Sequence, residues 1–262
     1  MDKNIPLVDD VNPLFTIRGL VKTFPNGFTS LSGIDLDIYQ GRCTLIAGAN
    51  GSGKTVLMKI LAGLLDASEG DVLYRGKPLA EYTGKRGSQK INTLVGLIFQ
   101  DADAQILGET VEEDIRFGPE NLKLPETEIK RRLEETLLAL ELEDKREFNT
   151  RHLSGGEKRR LAAASVLAMG SETIIMDEPF ANLDWPGVLQ VQRIISSLKE
   201  NGKSVIILSH ELEKVIFLAD SLVILEGGKV RAQGECEAVL DNLDPAWGVR
   251  DPRQPYTANS IT

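Results

Sequence analysis

One eight-residue run limits the fold of this chain more than any other: Gly48-Ala49-Asn50-Gly51-Ser52-Gly53-Lys54-Thr55 fits the pattern G-x-x-x-x-G-K-[ST]. Its glycines let consecutive backbone N–H groups curl around a phosphate, and a helix leaving the loop aims its positive end at the same anion. The flanks stand in the required order. Cys43 to Ala47 is an apolar run suited to a buried strand, and Lys54 to Leu64 reads as a helix closed by Gly63. In such a loop the Lys54 ammonium bridges β- and γ-phosphates and the Thr55 hydroxyl ligates Mg²⁺, so Mg-ATP is the expected ligand.

A second group of residues lies more than a hundred positions on. Thr173-Ile174-Ile175-Met176-Asp177-Glu178 is a strand pattern ending in two carboxylates, and strand ends of that kind face the ligand crevice of an open α/β sheet. Asp177 is expected to hold Mg²⁺, and Glu178 to orient or deprotonate the attacking water. Leu153-Ser154-Gly155-Gly156-Glu157 opens a helix, with Ser154 as N-cap and Glu157 as its capping-box partner. Capping alone would explain those residues; adjacent glycines at a helix start also expose free N–H groups, a second anion site in one chain.

Around these motifs the pattern alternates. Phe15-Thr16-Ile17 and Ile34 to Ile38 suggest antiparallel strands in a β-rich N-terminal part. The stretch from about Phe99 to Asn149 reads as helical, with a capping box at Thr110 to Glu113 and Ile129, Leu133, Leu137 and Leu140 on one helix face. Helices over Gly156 to Met169 and Val188 to Lys199 then alternate with strands at Thr173 to Met176 and Ser204 to Leu208. A hairpin, Ser221 to Leu225 and Lys229 to Ala232, turns at Glu226-Gly227-Gly228. The tail from about Asn242 is polar, contains proline and is expected to be loosely ordered.

Composition removes several classes. A net charge of −9 argues against a nucleic-acid-wrapping surface, and the clusters Lys130 to Arg132 and Lys158 to Arg160 read as solvated helix faces. Cys43 and Cys236, the only two cysteines, lie in an apparent strand or turn without metal spacing, so both are expected to be packing residues. No apolar run of about 18 residues occurs and the start lacks signal-peptide blocks, which leads to the expectation of a cytoplasmic chain.

With these residues in place, the chain resembles the nucleotide-binding subunits of ABC (ATP-binding cassette) transporters over roughly Phe15 to Leu240. Gln100 matches the family's Q-loop glutamine, Leu153 to Glu157 its signature, Ala181-Asn182-Leu183-Asp184 its D-loop and His210 its switch histidine. The resemblance implies an α/β P-loop NTPase fold of ABC cassette type, with an inserted α-helical subdomain and a β-rich N-terminal edge. It places one ATPase domain over 1–245 with the helical subdomain at about 101–165, then a polar tail at 246–262. It implies a head-to-tail dimer, with itself or a related ATPase, in which ATP on one phosphate loop is covered by Ser154, Gly155 and Gly156 of the other copy. Gln100 is then expected at Mg²⁺ and water, His210 at the γ-phosphate, and Phe24 stacked on adenine, where a core phenylalanine is the alternative.

Two positions depart from the family pattern. Val56 stands where a hydroxyl residue commonly touches the α-phosphate, so nucleotide binding is expected to be somewhat weaker. The D-loop begins Ala181-Asn182 rather than Ser-Ala.

Thr110-Val-Glu-Glu-Asp114 and Phe117-Gly-Pro119 are similar to the energy-coupling-factor branch, whose ATPases serve vitamin, cobalt and nickel uptake; Asp101-Ala102 replaces the branch's usual Asn-Pro. That branch implies a transmembrane coupling component, a substrate-binding membrane subunit and residence on the cytoplasmic face of the membrane. Asp101 and Asp103 would meet basic residues of the coupling component. Another importer class, or a soluble ABC ATPase outside transport, is the alternative. A repair ATPase would need long heptads or zinc-spaced cysteines, and a translation-associated one two cassettes; neither pattern is present.

Overall fold

The computed structural model describes residues 3–4, 13–83, 91 and 93–255. In chain order the strands are β1 (Lys3–Asn4), β2 (Pro13–Thr23), β3 (Thr29–Tyr39), β4 (Cys43–Ala47), β5 (Glu69–Tyr74), β6 (Lys77–Pro78), β7 (Val95–Ile98), β8 (Thr173–Asp177), β9 (Ser204–Ser209), β10 (Ser221–Glu226) and β11 (Lys229–Gly234). The α-helices are α1 (Lys54–Leu61), α2 (Val111–Asn121), α3 (Glu126–Ala139), α4 (Gly155–Ala168), α5 (Trp185–Glu200) and α6 (Cys236–Leu240). Two compact units result, one of residues 1–79 with 206–262 and one of residues 80–205.

In the first unit β2 is the centre of an antiparallel sheet in the order β3-β2-β5-β6. Alternation puts Phe15 and Ile17 on its buried face, and a register shift between Ile17 and Leu20 brings Leu20 in as well, each fully covered. Phe15 and Tyr74 meet there with ring centroids 5.0 Å apart and planes tilted by 58°, and burying a side chain such as Phe15 contributes roughly 1.5–3 kcal/mol. A second group of strands is built on β4, which is buried along its whole length and pairs in parallel with β10 through Leu45↔Leu222 and Ile46↔Val223. The antiparallel β10–β11 hairpin continues it, and β1 adds in parallel to β11.

The second unit holds a parallel pair, β7 with β8, in the register Val95↔Thr173 to Ile98↔Met176. Its helices pack through small residues. Leu161, Ala162, Ala163, Ala164, Val166 and Ala168 of α4 are buried, and Gly118 of α2 lies so close that a Cβ there would be 2.5 Å from Met169 Cγ. The face of α3 that carries Ile129, Leu133 and Leu137 is buried, with Leu140 just beyond it. Asp114, 4% exposed, is a buried hub: its carboxylate accepts from Leu107 N at 2.7 Å, Gly108 N at 2.9 Å and Ser165 Oγ at 2.6 Å. Three donors offset the cost of burying that charge, and they tie the loop before α2 to α4.

Several expectations change at element ends. Helix α1 stops at Leu61, because Gly63 takes φ 68° and closes the last turn earlier than Leu64. Cys236 begins helix α6 rather than lying in a strand or turn, and neither cysteine is in a disulfide. The tail is folded well past Asn242: Asp244 caps a turn at Pro245–Trp247, Val249 is buried, and Arg253 pairs with Asp241 and Asp251. Residues 256–262 of the expected polar tail lie outside the described residues. Among the described residues no helix is long and apolar enough to cross a membrane.

Candidate functional site: a phosphate loop and two carboxylate-bearing motifs

The phosphate loop joins β4 to α1, and its shape is fixed by contacts that leave no room for side chains. A Cβ on Gly48 would lie 2.2 Å from Leu225 O and 2.6 Å from Ser52 Oγ; one on Gly53 would lie 2.7 Å from Leu31 Cδ2 and 2.9 Å from Ser30 O. Gly51 and Gly53 also take φ of 82° and 104°, a region L side chains avoid. The turn of the β10–β11 hairpin braces the loop from outside, since Gly228 N donates to Ser52 O at 3.1 Å and Gly228 O accepts from Ser32 N at 2.9 Å. The sequence offered Gly227-Gly228 only as a hairpin turn; its role as a support depends on long-range packing.

The donor set suits a polyphosphate. Helix α1 has no side-chain cap and no acidic residue in its first turn, so the positive end of its dipole faces the loop uncompensated by a carboxylate. Lys54 is 6% exposed, and its Nζ donates to Gly48 O at 2.7 Å and Ala49 O at 3.2 Å, which keeps the ammonium inside the loop. Ser52 Oγ is buried without a hydrogen-bond partner among the described residues, an orphan hydroxyl within the cradle. Ala49, Asn50 and Thr55 are exposed and Val56 is half-buried.

The same unit carries Phe24 and His210. Phe24 is half-buried at the β2–β3 turn, with Lys22 Nζ 5.5 Å from its ring centroid, so it is not the core residue that was the alternative. Phe28, four residues on and 59% exposed, was not singled out by the sequence reading; its O accepts from Phe24 N at 2.9 Å. His210 follows β9 and is exposed.

In the other unit β8 delivers Asp177 and Glu178, 9% and 8% exposed. Glu178 adopts φ 46°, an uncommon conformation for a residue with a side chain. The turn after it is anchored by buried Phe180 and by Ala181 N donating to Glu178 O at 3.1 Å. The motif itself gives no sign of this backbone conformation, which Arg75, Lys123, Glu141 and Asn182 also adopt. Arg159 Nη2 holds Ala181 O at 2.7 Å, and burial pulls that guanidinium below its ordinary pKa while Asp101 opposes the shift.

Ser154 caps α4 as the sequence required. Its Oγ accepts from Glu157 N at 3.3 Å, while Glu157 Oε2 accepts from Ser154 N at 2.7 Å. That backbone N–H, with help from the Ser154 hydroxyl and the Lys145 charge, holds the Glu157 carboxyl below the usual range against the effect of burial. Gly155 has open space where a Cβ would be, apart from Arg159 at 4.0 Å, whereas a Cβ on Gly156 would lie 2.6 Å from Gln190 Oε1. Gln100 is exposed at a bend after β7. The following loop is fastened by Gln105, which accepts from Phe99 N at 3.2 Å and donates to Leu97 O at 2.9 Å. Asp103 is exposed and pairs with Lys158 of this chain.

A glycine-built loop opening an uncapped helix, a strand ending in paired carboxylates and a Ser-capped Gly-Gly helix start together define a P-loop nucleotide-binding cassette. The model of the ABC transporter family matches residues 31–181, more than half of the chain, and this chain belongs to that family. It binds ATP and is an ATP hydrolase.

The energy-coupling factor transporter ATP-binding protein EcfA of Carboxydothermus hydrogenoformans is 39% identical over 232 residues, spanning 88% of this chain and 84% of that protein. The cobalt import ATP-binding protein CbiO of Rhodobacter capsulatus is 37% identical over 232 residues, spanning 88% and 82%. Among solved structures, CbiO1 from Clostridium perfringens, part of the ABC transporter complex CbiONQ, superposes with a TM-score of 0.82 at 33% identity and covers 88% of this chain and 91% of its own.

Proposed function

We propose that this chain is the ATP-hydrolysing subunit that energises a membrane importer of energy-coupling-factor type, for a vitamin or a transition-metal ion such as cobalt or nickel. The observation that carries the reading is likeness to EcfA and CbiO proteins over nearly nine-tenths of the chain, phosphate loop and signature included. Lys54 and the N–H groups of Gly48 to Thr55 bind the phosphates, with Phe24 against the base. Thr55, Asp177 and Gln100 would hold Mg²⁺, which neutralises charge developing on the transferred phosphoryl group. Glu178 positions and deprotonates the attacking water, and His210 contacts the γ-phosphate.

Ser154, Gly155 and Gly156 of a second ATPase copy complete the site, in accord with two anion-binding helix starts in each chain. A transmembrane coupling component and a substrate-binding membrane subunit are the further partners, which puts the chain on the cytoplasmic membrane face as a peripheral subunit. Asp101 and the exposed Asp103 are the carboxylates offered to basic residues of the coupling component.

Affinity purification of the tagged chain from membranes in mild detergent tests the assignment. Recovery of a membrane-spanning protein with a bound vitamin or metal is expected; recovery of ribosomes or DNA in its place would overturn it.

A further inference from the structure

Within the unit of residues 80–205, a hollow of about 150 Å³ lies between the end of α3, the first turns of α4 and one face of α5. Arg160, Arg193, Gln190, Ser197 and Glu141 bring polar groups to it. The two arginines are unlike most of their neighbours. Arg116, Arg131, Arg132 and Arg146 each hold a glutamate, and Arg159 holds a carbonyl. Arg160 and Arg193 have no hydrogen bond or ion pair among the described residues, and the Nε of Arg160 is buried without an acceptor. Buried polar groups are nearly always satisfied, and a guanidinium N–H left without a partner is costly, so an acceptor from outside the chain is the natural complement.

We propose that this hollow binds a phosphate group, supplied as free phosphate or as the phosphate of a small metabolite. The guanidinium fork matches a tetrahedral oxyanion through paired N–H donors, and two arginines against one carboxylate, Glu141, leave the hollow net positive in a chain of net charge −9. Gln190 adds an amide donor and Ser197 a hydroxyl. A hollow of that size, open to solvent on one side, has room for one oxyanion with its waters. Gln190 also touches Gly156, where a Cβ would meet its Oε1 at 2.6 Å. Occupancy is therefore felt at the signature glycine; this link rests on the role proposed for Gly156, whereas the binding itself does not.

The test titrates inorganic phosphate, and separately glycerol 3-phosphate, into the full chain carrying Lys54→Ala, which removes the phosphate loop as a competing anion site. Calorimetry without nucleotide reads the affinity. Arg160→Gln is expected to weaken binding at least tenfold and Arg193→Gln several-fold, while Glu141→Gln tightens it several-fold by removing the opposing charge. Arg193 and Glu141 are exposed, so those variants keep the test valid if Arg160→Gln fails to fold. Tighter binding of glycerol 3-phosphate than of phosphate identifies a metabolite as the source, and the reverse identifies the free ion. No binding at millimolar concentration, or equal affinity in all the variants, would overturn the proposal. Neither result bears on ATP hydrolysis, which is measured on the chain with Lys54 intact.

Discussion

At the scale of single residues, Glu178 and Val56 carry the sharpest expectations. Glu178 sits at φ 46° between the end of β8 and Pro179, with its side chain largely buried, so its position is set by backbone and its chemistry by the carboxylate alone. Glu178→Gln keeps the shape and removes the base. The variant should bind ATP with near-normal affinity, accumulate as a nucleotide-trapped dimer and lose turnover by about 10²-fold or more, as removal of a general base does. Near-normal hydrolysis would show that another group takes the proton. Val56, half-buried in the first turn of α1, presents an isopropyl group where a hydroxyl would add one hydrogen bond to an anion. Val56→Thr should lower the ATP KM severalfold, the equivalent of about 1 kcal/mol, with kcat unchanged. An unchanged KM sinks that account.

Helix caps are the element-scale devices of this chain, and they were legible because a capping box is local. Thr110 with Glu113 and Ser154 with Glu157 form the reciprocal bonds that their spacing required. The Ser154 box gives a pH signature. Since the folded state holds Glu157 below the usual carboxyl range, its contribution is fully present above the ordinary glutamate pKa and is lost as pH falls through the depressed folded value. Denaturant titrations on the acid side of neutrality should therefore show Glu157→Gln losing less stability on acidification than the parent chain. Parallel pH dependences would exclude this carboxyl. The β8 strand was equally plain in its apolar run, but the left-handed Glu178 after it was not, because that backbone is set by buried Phe180 and the turn through Ala181 rather than by local propensity.

For the molecule as a whole, the motifs divide between two compact units: the phosphate loop, Phe24 and His210 in one, Gln100, Ser154 to Gly156, Asp177 and Glu178 in the other. Their order along the chain was readable since each motif is a short run tied to a strand or helix end. What could not be read were long-range supports: Asp114 under the loop before α2, Gly228 against Ser52, and Arg160 left without an acceptor. Residue spacing holds no record of such contacts. With Ser154 to Gly156 expected to act on a second copy, specific ATPase activity should rise with protein concentration and saturate as dimers form. A rate per chain that is flat from nanomolar to micromolar would exclude the shared site.

The bracing of the phosphate loop has a consequence for how the protein is made. Leu225 O closes on Gly48, Gly228 N holds Ser52, and Gly248 lies within 3.3 Å of Ala49 when given a Cβ, so a loop translated early is shaped by residues translated late. At ~5–20 residues per second the ribosome needs on the order of ten seconds or more to supply them. During that interval the nascent chain displays the full glycine-lysine motif without its mould. Ribosome-bound chains stalled before Ser221 should retain no fluorescent nucleotide, whereas chains stalled with Val249 clear of the exit tunnel should capture it.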